Sequence, residues 1–174
     1  MLYPLVPENE DMRLQSLRAL NILDTQIDEK FELITRFATE VFNVPICLVS
    51  LVDENRQWFK SAVGMDVQET PRYKSFCAHA ICQTISNDSE SRIFEVCDTS
   101  VDFHFVAHDL VVGHPGIRSY IGYVLQSKTN MNLGTLCLID TKPRKFTDDE
   151  RDLLKVLGRM IQNLINEGLY FSQQ

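Results

Sequence analysis

The sequence predicts an α+β domain: a central antiparallel sheet, helices on one face, and loops with a short helix over a pocket on the other. Two observations lead there. The runs ICLVSLV (46–52) and NLGTLCLID (132–140), and most of IRSYIGYVLQS (117–127), are apolar at successive rather than alternate positions, so each strand is covered on both faces. Amphipathic helical segments precede and follow these strands, while the middle of the chain is irregular and is left to cover the second face.

The elements follow in order. Asn9 to Leu23 reads as a helix, with Leu14, Leu17 and Leu20 at helical spacing and Arg13 and Arg18 on the opposite side. A second helix carries Ile27, Phe31, Ile34, Ala38 and Val41 as one stripe. Two β-rich runs flank Asp53-Glu54-Asn55, whose turn chemistry predicts a hairpin. GMDVQETPRYK (64–74) reads as a loop, SFCAHAICQT (75–84) as a short helix capped by Ser75, and RIFEVCD (92–98) as a strand. TSVDFHFVAHDLVVGHPG has no clear period, and a loop of that length inside a compact domain points to function. The last helix opens with Thr147 and Glu150 spaced as a capping box. It carries two apolar stripes, Leu153, Leu157, Met160 and Leu164 beside Leu154, Ile161 and Ile165. One stripe docks a helix on a sheet; the second predicts self-association or a groove between helices. The whole is one domain, with N-terminal helices in 8–42, sheet and pocket loops in 43–140, and a C-terminal helix in 147–170.

Composition narrows the function. A net charge of −7 and a pI near 5.0 argue against a sequence-independent grip on nucleic acid. No apolar run is long enough to span a bilayer, and the start MLYPLVPENE has no signal-peptide pattern, so no membrane partner is expected and the location expected is cytoplasmic. Five cysteines are an odd number and fit reduced thiols. Cys47 and Cys137 lie in apolar runs and read as core.

The stretch SFCAHAICQT concentrates the candidate chemistry. On a helix His79 and Cys82 share a side while Cys77 points away, so the three cannot meet one tetrahedral metal ion, and no metal site is expected. Cys82 joins an apolar arc with Cys77, Ala78, Ile81 and Ile85 and reads as core. Cys77 falls in the first turn, where free N–H groups favour a thiolate. Phe76 and His79 share this helix. Arg118 and Tyr120 alternate on a buried strand, where a charge must be paired, with Asp98 and Asp109 as candidates, or must meet an anion. Trp58 and Phe59 face opposite ways, one into the core and the other over the pocket. No P-loop, GxGxxG, GxSxG or HExxH pattern is present, and no catalytic set stands out.

In order along the chain, PENEDMRLQSLRALNILDT, VPICLVSLVDENRQWFKS, ETPRYKSFCAHAI, DLVVGHPGIRSYIGYVL and LGTLCLID resemble a GAF domain of the bacterial signalling type, from Pro7 to about Leu164. That resemblance implies a PAS-like sheet of five or six strands with a ligand pocket in front. It departs at DTSVDFHFVAHD, where His104 stands in place of a basic residue, and at Ser119 and Val124, where an aromatic and a proline are commoner. The expected function is a sensory or regulatory domain that binds an unidentified small molecule and acts through dimerisation of its terminal helices or through an output partner. The expected ligand set is Trp58, Ser75, Phe76, Cys77, His79, Asp98, Asp109, Arg118 and Tyr120; no cofactor is identified. Two alternatives remain, a cysteine-based redox enzyme akin to free methionine sulfoxide reductases and a ligand-free dimerisation module. The spacing of Cys77, Cys82 and Cys97 does not match the reductase pattern, and nothing around Cys77 looks like a bilin site.

Overall fold

A computed structural model describes residues 2–83 and 89–168. Its six strands form one sheet, β1 (Ile46–Val52), β2 (Arg56–Val63), β3 (Glu69–Pro71), β4 (Ile93–Val96), β5 (Ser119–Gln126) and β6 (Asn132–Asp140), in the order β3-β2-β1-β6-β5-β4. Every neighbouring pair is antiparallel. The four-strand middle of the order comes from the hairpin at Asp53-Glu54-Asn55 and the β5–β6 hairpin, joined by β1 pairing with β6. β1 and β5 are buried at every position, as strands covered on both faces must be.

Helices α1 (Glu10–Ala19), α2 (Glu29–Val41) and α5 (Asp148–Glu167) pack on one face. Their core joins Leu17, Phe31, Ala38 and Ile161 to Leu51, Ile121 and Leu136 of the sheet. The opposite face is covered by α3 (Phe76–Ala80), α4 (Asp109–Val112) and the segments around them, with Phe76, Phe105, Ile117 and Tyr120 over Leu48, Cys137 and Ile139. At the start of α5, Thr147 Oγ1 accepts the Glu150 N–H while the Glu150 carboxylate accepts the Thr147 N–H. The capping box forms as its spacing predicts.

Several sequence expectations change. Arg13 does not face solvent; it is fully buried, and its guanidinium donates to the Val52 carbonyl at 2.7 Å and to both Glu10 oxygens. Arg72 reaches the same carboxylate and the carbonyls of Asp53 and Glu54, so the triad ties α1 to the β1–β2 hairpin. A long arginine can bury when carbonyls and a carboxylate satisfy its donors. Arg18 does stay at the surface, beside Glu54. In α2 the buried line is Phe31, Thr35, Ala38 and Phe42, while Ile27 and Val41 are exposed. The helix starts at Glu29, after Ile27, and Thr35 buries because its hydroxyl donates to the Glu32 carbonyl and lies 2.8 Å from the Ser61 hydroxyl on β2. The stretch 64–74 contains β3, which is too short for periodicity to reveal. On α5 Leu157 turns inward with Leu154, Ile161 and Ile165, while Met160 stays exposed.

Candidate functional site

Helix α3 sets the site. Ser75 caps it, its hydroxyl accepting the Ala78 N–H at 3.0 Å and donating to Gln57 Oε1 at 2.5 Å, so the helix is pinned to β2 at its first residue. The helix stops after Ala80, so the apolar arc predicted through Cys82 does not form. Cys82 is exposed and its thiol donates to the Leu5 carbonyl. Ile85, the far end of that arc, lies outside the described residues.

Phe76 stacks on Phe105 with centroids 4.4 Å apart, and on the ring of Tyr120 at 5.4 Å. His108 packs against Phe76 and caps α4: its Nδ1 accepts the Leu110 N–H, so Nε2 carries the proton donated to the Lys74 carbonyl. Burial lowers the pKa of His108, which keeps the ring in this neutral form. His79 is half-buried against the edge of Phe105; burial first, then the neighbouring His104 and His108, push its pKa down to about 4.

Beneath these rings lies a polar cluster inside the apolar front core. Cys77 Sγ is 2.9 Å from Thr135 Oγ1 and 3.1 Å from Tyr120 Oη, and the two oxygens are 3.2 Å apart. Ser50 stands opposite Thr135 across β1 and β6, and Cys137 lies two residues along β6 in the same front core. Burial opposes ionisation of Cys77, but the polar groups around it, Cys137, Thr135, Tyr120 and Ser50, overcome it and bring its pKa down to about 6. Tyr120 and Cys137 move the other way, pushed up by burial and by the neighbouring sulfur. Gly122 makes the arrangement possible: a Cβ there would stand 2.6 Å from Tyr120 Oη, so only glycine lets the phenol lie along the strand.

A cavity of about 30 Å³ opens beside the cluster, bounded by Phe59, Met65, Phe76, Cys77, Leu110 and Tyr120. It has room for one or two water-sized molecules. A larger, open groove of about 360 Å³ runs along the edge of β2 between residues 24–27 and 65–68. At its floor Lys60 Nζ donates to Thr25 Oγ1 and to the Gln26 carbonyl. Among the described residues no three His, Cys, Asp or Glu side chains converge as a metal site.

The predicted ligand residues therefore separate. Ser75, Phe76, Cys77 and Tyr120 come together, with His79 at the margin. Trp58 belongs to the helix-side core and to the floor of the open groove, and Phe59 takes the front place. Arg118 precedes β5 and is held by carbonyls, with its guanidinium on Val111 O at 2.9 Å, so neither acid pairs with it. Asp98 instead accepts from the Ser100 N–H and hydroxyl, and Asp109 pairs with Lys74 at the surface. Thr135, Cys137, Ser50 and Phe105 were not singled out as site residues, Cys137 having read as core. The signal for the first three is a polar or thiol side chain at front-facing positions of doubly buried strands.

The GAF domain family model matches residues 26–165. The chain belongs to the GAF domain family. A cyclic di-GMP phosphodiesterase of Pseudomonas aeruginosa is 41% identical over 167 residues, covering 95% of this chain and 27% of that protein. The chain thus spans about a quarter of the length of the curated relative it matches. Two solved structures share the fold. The GAF domain of an Acinetobacter phosphoenolpyruvate-protein phosphotransferase superposes with a TM-score of 0.60 at 15% identity, over 88% of this chain and 92% of that one. A type II free methionine-R-sulfoxide reductase from Thermoplasma acidophilum does so with 0.61 at 12%, over 87% and 96%. At such identities the likeness shows the fold alone. No helix among the described residues of this GAF domain is long and apolar enough to cross a membrane.

Proposed function

We propose that this GAF domain is a cytoplasmic regulatory module of bacterial signalling, without catalysis of its own, that works by pairing two copies and thereby setting the state of an output unit. One observation carries the reading. Helix α5 buries Leu154, Leu157, Ile161 and Ile165 and carries beside them a second apolar line, Leu153, Val156, Met160 and Leu164, spaced 3, 4 and 4, whose ends Leu153 and Leu164 pack partly on the core while Val156 and Met160 stay exposed. Val156 is 46% and Met160 47% exposed, and Leu33, Phe37 and Val41 of α2 are exposed at spacings of 4. A helix needs one stripe to dock on its own sheet; a second line at coiled-coil spacing fits a like helix of another copy. A two-fold pair would bury the same patch on both subunits. The phosphodiesterase relative supports the output side, since this chain matches about a quarter of it and leaves room there for an output unit.

A chimera tests the reading. The matched quarter of the Pseudomonas phosphodiesterase is replaced by this GAF domain, and cyclic di-GMP hydrolysis is measured for the native chain and for Val156→Glu/Met160→Glu. A several-fold change in hydrolysis between the two is expected. Equal hydrolysis by both contradicts coupling through this face.

A second reading is that a small molecule binds on the front face, favoured by the cavity beside Cys77 and Tyr120. At about 30 Å³ that cavity takes a larger ligand only after the Phe76–Phe105 stack moves, so binding would change the loop over α3. Native mass spectrometry of protein from its source tests this: a co-purifying small molecule supports the reading, and bare protein contradicts it.

A further inference from the structure

We propose that His108 is a pH-sensitive bolt on the front face: protonating its ring frees α4 and the surrounding segment 99–116 from the turn Arg72–Lys74. Two hydrogen bonds fix the bolt. Nδ1 accepts the Leu110 N–H at 3.1 Å and Nε2 donates to the Lys74 carbonyl at 3.1 Å, so each ring nitrogen is committed to one role. Leu110 and Lys74 both border the front cavity, and the ring links them. His108 is 2% exposed, against Phe76 at 5.0 Å between ring centroids and Phe105 at 6.4 Å.

An imidazolium cannot keep this arrangement. A proton on Nδ1 takes the lone pair that the Leu110 N–H uses, and two N–H groups then face each other. Turning the ring over puts carbon atoms at both partners. The new charge would also sit in an aromatic layer, where it gives up its hydration.

The surroundings do not rescue it. Among the described residues Asp109 favours the charged ring and Lys74 opposes it, and the two pair with each other at 3.1 Å. Arg72 of the same turn is taken by Glu10. His79 and His104 pack on Phe105, His104 beside Asp102, and a charge on His108 is repelled by one on His79. Burial is the main cause that lowers the His108 pKa below 6.5, in line with the geometry. Other ties of the segment do not titrate at mildly acidic pH: the Ile117 N–H donates to the Leu110 carbonyl at 2.8 Å and Arg118 to the Val111 carbonyl at 2.9 Å.

A ring held neutral in the closed form binds a proton more readily once it is released. The closed form is therefore fully favoured above about pH 6.5 and loses ground as pH falls below it, by up to about tenfold per unit.

Amide hydrogen exchange tests this in a His79→Gln/His104→Gln/His114→Gln background, where His108 is the only histidine left. From about pH 7.5 to about pH 5.5 the protection factors of residues 105–112 should fall several-fold, up to about tenfold, while those of β1 and β6 hold. Adding His108→Asn keeps a cap for α4 without a titrating ring and should hold the protection level over the same range. If either variant fails to fold, nitrogen NMR of the His108 ring in the native chain decides. Nδ1 should be the unprotonated nitrogen at about pH 7.5 and should take up its proton in step with the loss of protection at Leu110. Protection that acid leaves unchanged, an equal fall in His108→Asn, or an Nδ1 already protonated at neutral pH overturns the proposal.

Discussion

The two faces of this sheet solve the same burial problem in different ways. Strand β5 shows the contrast in four residues: Tyr123 points to the helix face and Tyr120 to the front. Each ring is seated by a glycine. A Cβ on Gly158 of α5 would lie 2.2 Å from the ring of Tyr123, and one on Gly122 would lie 2.6 Å from Tyr120 Oη. Behind the sheet the ring completes an apolar layer under three helices. In front the phenol reaches a thiol and a hydroxyl, among aromatic rings and beside a cavity. The back seats its ring in apolar packing, and the front adds a polar cluster beside a cavity.

Truncation behind the sheet should give the largest effect. Ile161→Ala removes a fully buried side chain from the helix-side core and should cost about 3 kcal/mol, read by urea denaturation. A cost below about 1 kcal/mol would mean that the back is loosely packed and the contrast between faces is false.

An acid titration comes next and probes the tie between α1 and the hairpin, which belongs to neither face. Burial resists the charge on Glu10, but hydrogen bonds from Arg13 and Arg72 prevail and hold its pKa at about 2. A depressed carboxyl stabilises the fold above its unfolded value of 4.5, and that stability is lost as pH falls from there towards 2. The loss should be about 2 kcal/mol and should be absent from the pH profile of Glu10→Gln.

Front-face polarity should matter less for stability. Tyr120→Phe removes one corner of the triangle and should cost about 1 kcal/mol. The sharper readout is the Cys77 thiolate, followed by its ultraviolet absorbance, whose titration should move to higher pH once a donor is lost. An unchanged titration would remove Tyr120 from the cluster's chemistry. The smallest stability effect, within about 0.5 kcal/mol, is expected for Val156→Ser/Met160→Ser, because both side chains are half exposed.

The layered fold was legible because doubly buried strands and capped amphipathic helices leave strong local patterns, as in ICLVSLV and the Thr147–Glu150 box. The site was legible only in part. Ser75, Phe76 and Cys77 sit on one short helix whose cap is visible in the sequence. Their partners Thr135 and Cys137 come from β6, nearly sixty residues on, and only strand alternation marks their face. Arginines misled for a related reason: Arg118 is held by backbone carbonyls and Arg13 by the Val52 carbonyl as well as Glu10, and no side-chain pattern announces a carbonyl. Cys82 was misplaced because the helix ends one turn earlier than its apolar arc implies.

The exposed Val156 and Met160 of α5 are the feature on which the proposed function rests, and sedimentation equilibrium addresses it directly. The native chain should weigh twice its 20.0 kDa, and Val156→Glu/Met160→Glu should weigh 20.0 kDa with its fold intact by circular dichroism. A native chain that stays monomeric at high concentration, or a variant that still pairs, would contradict association through this face.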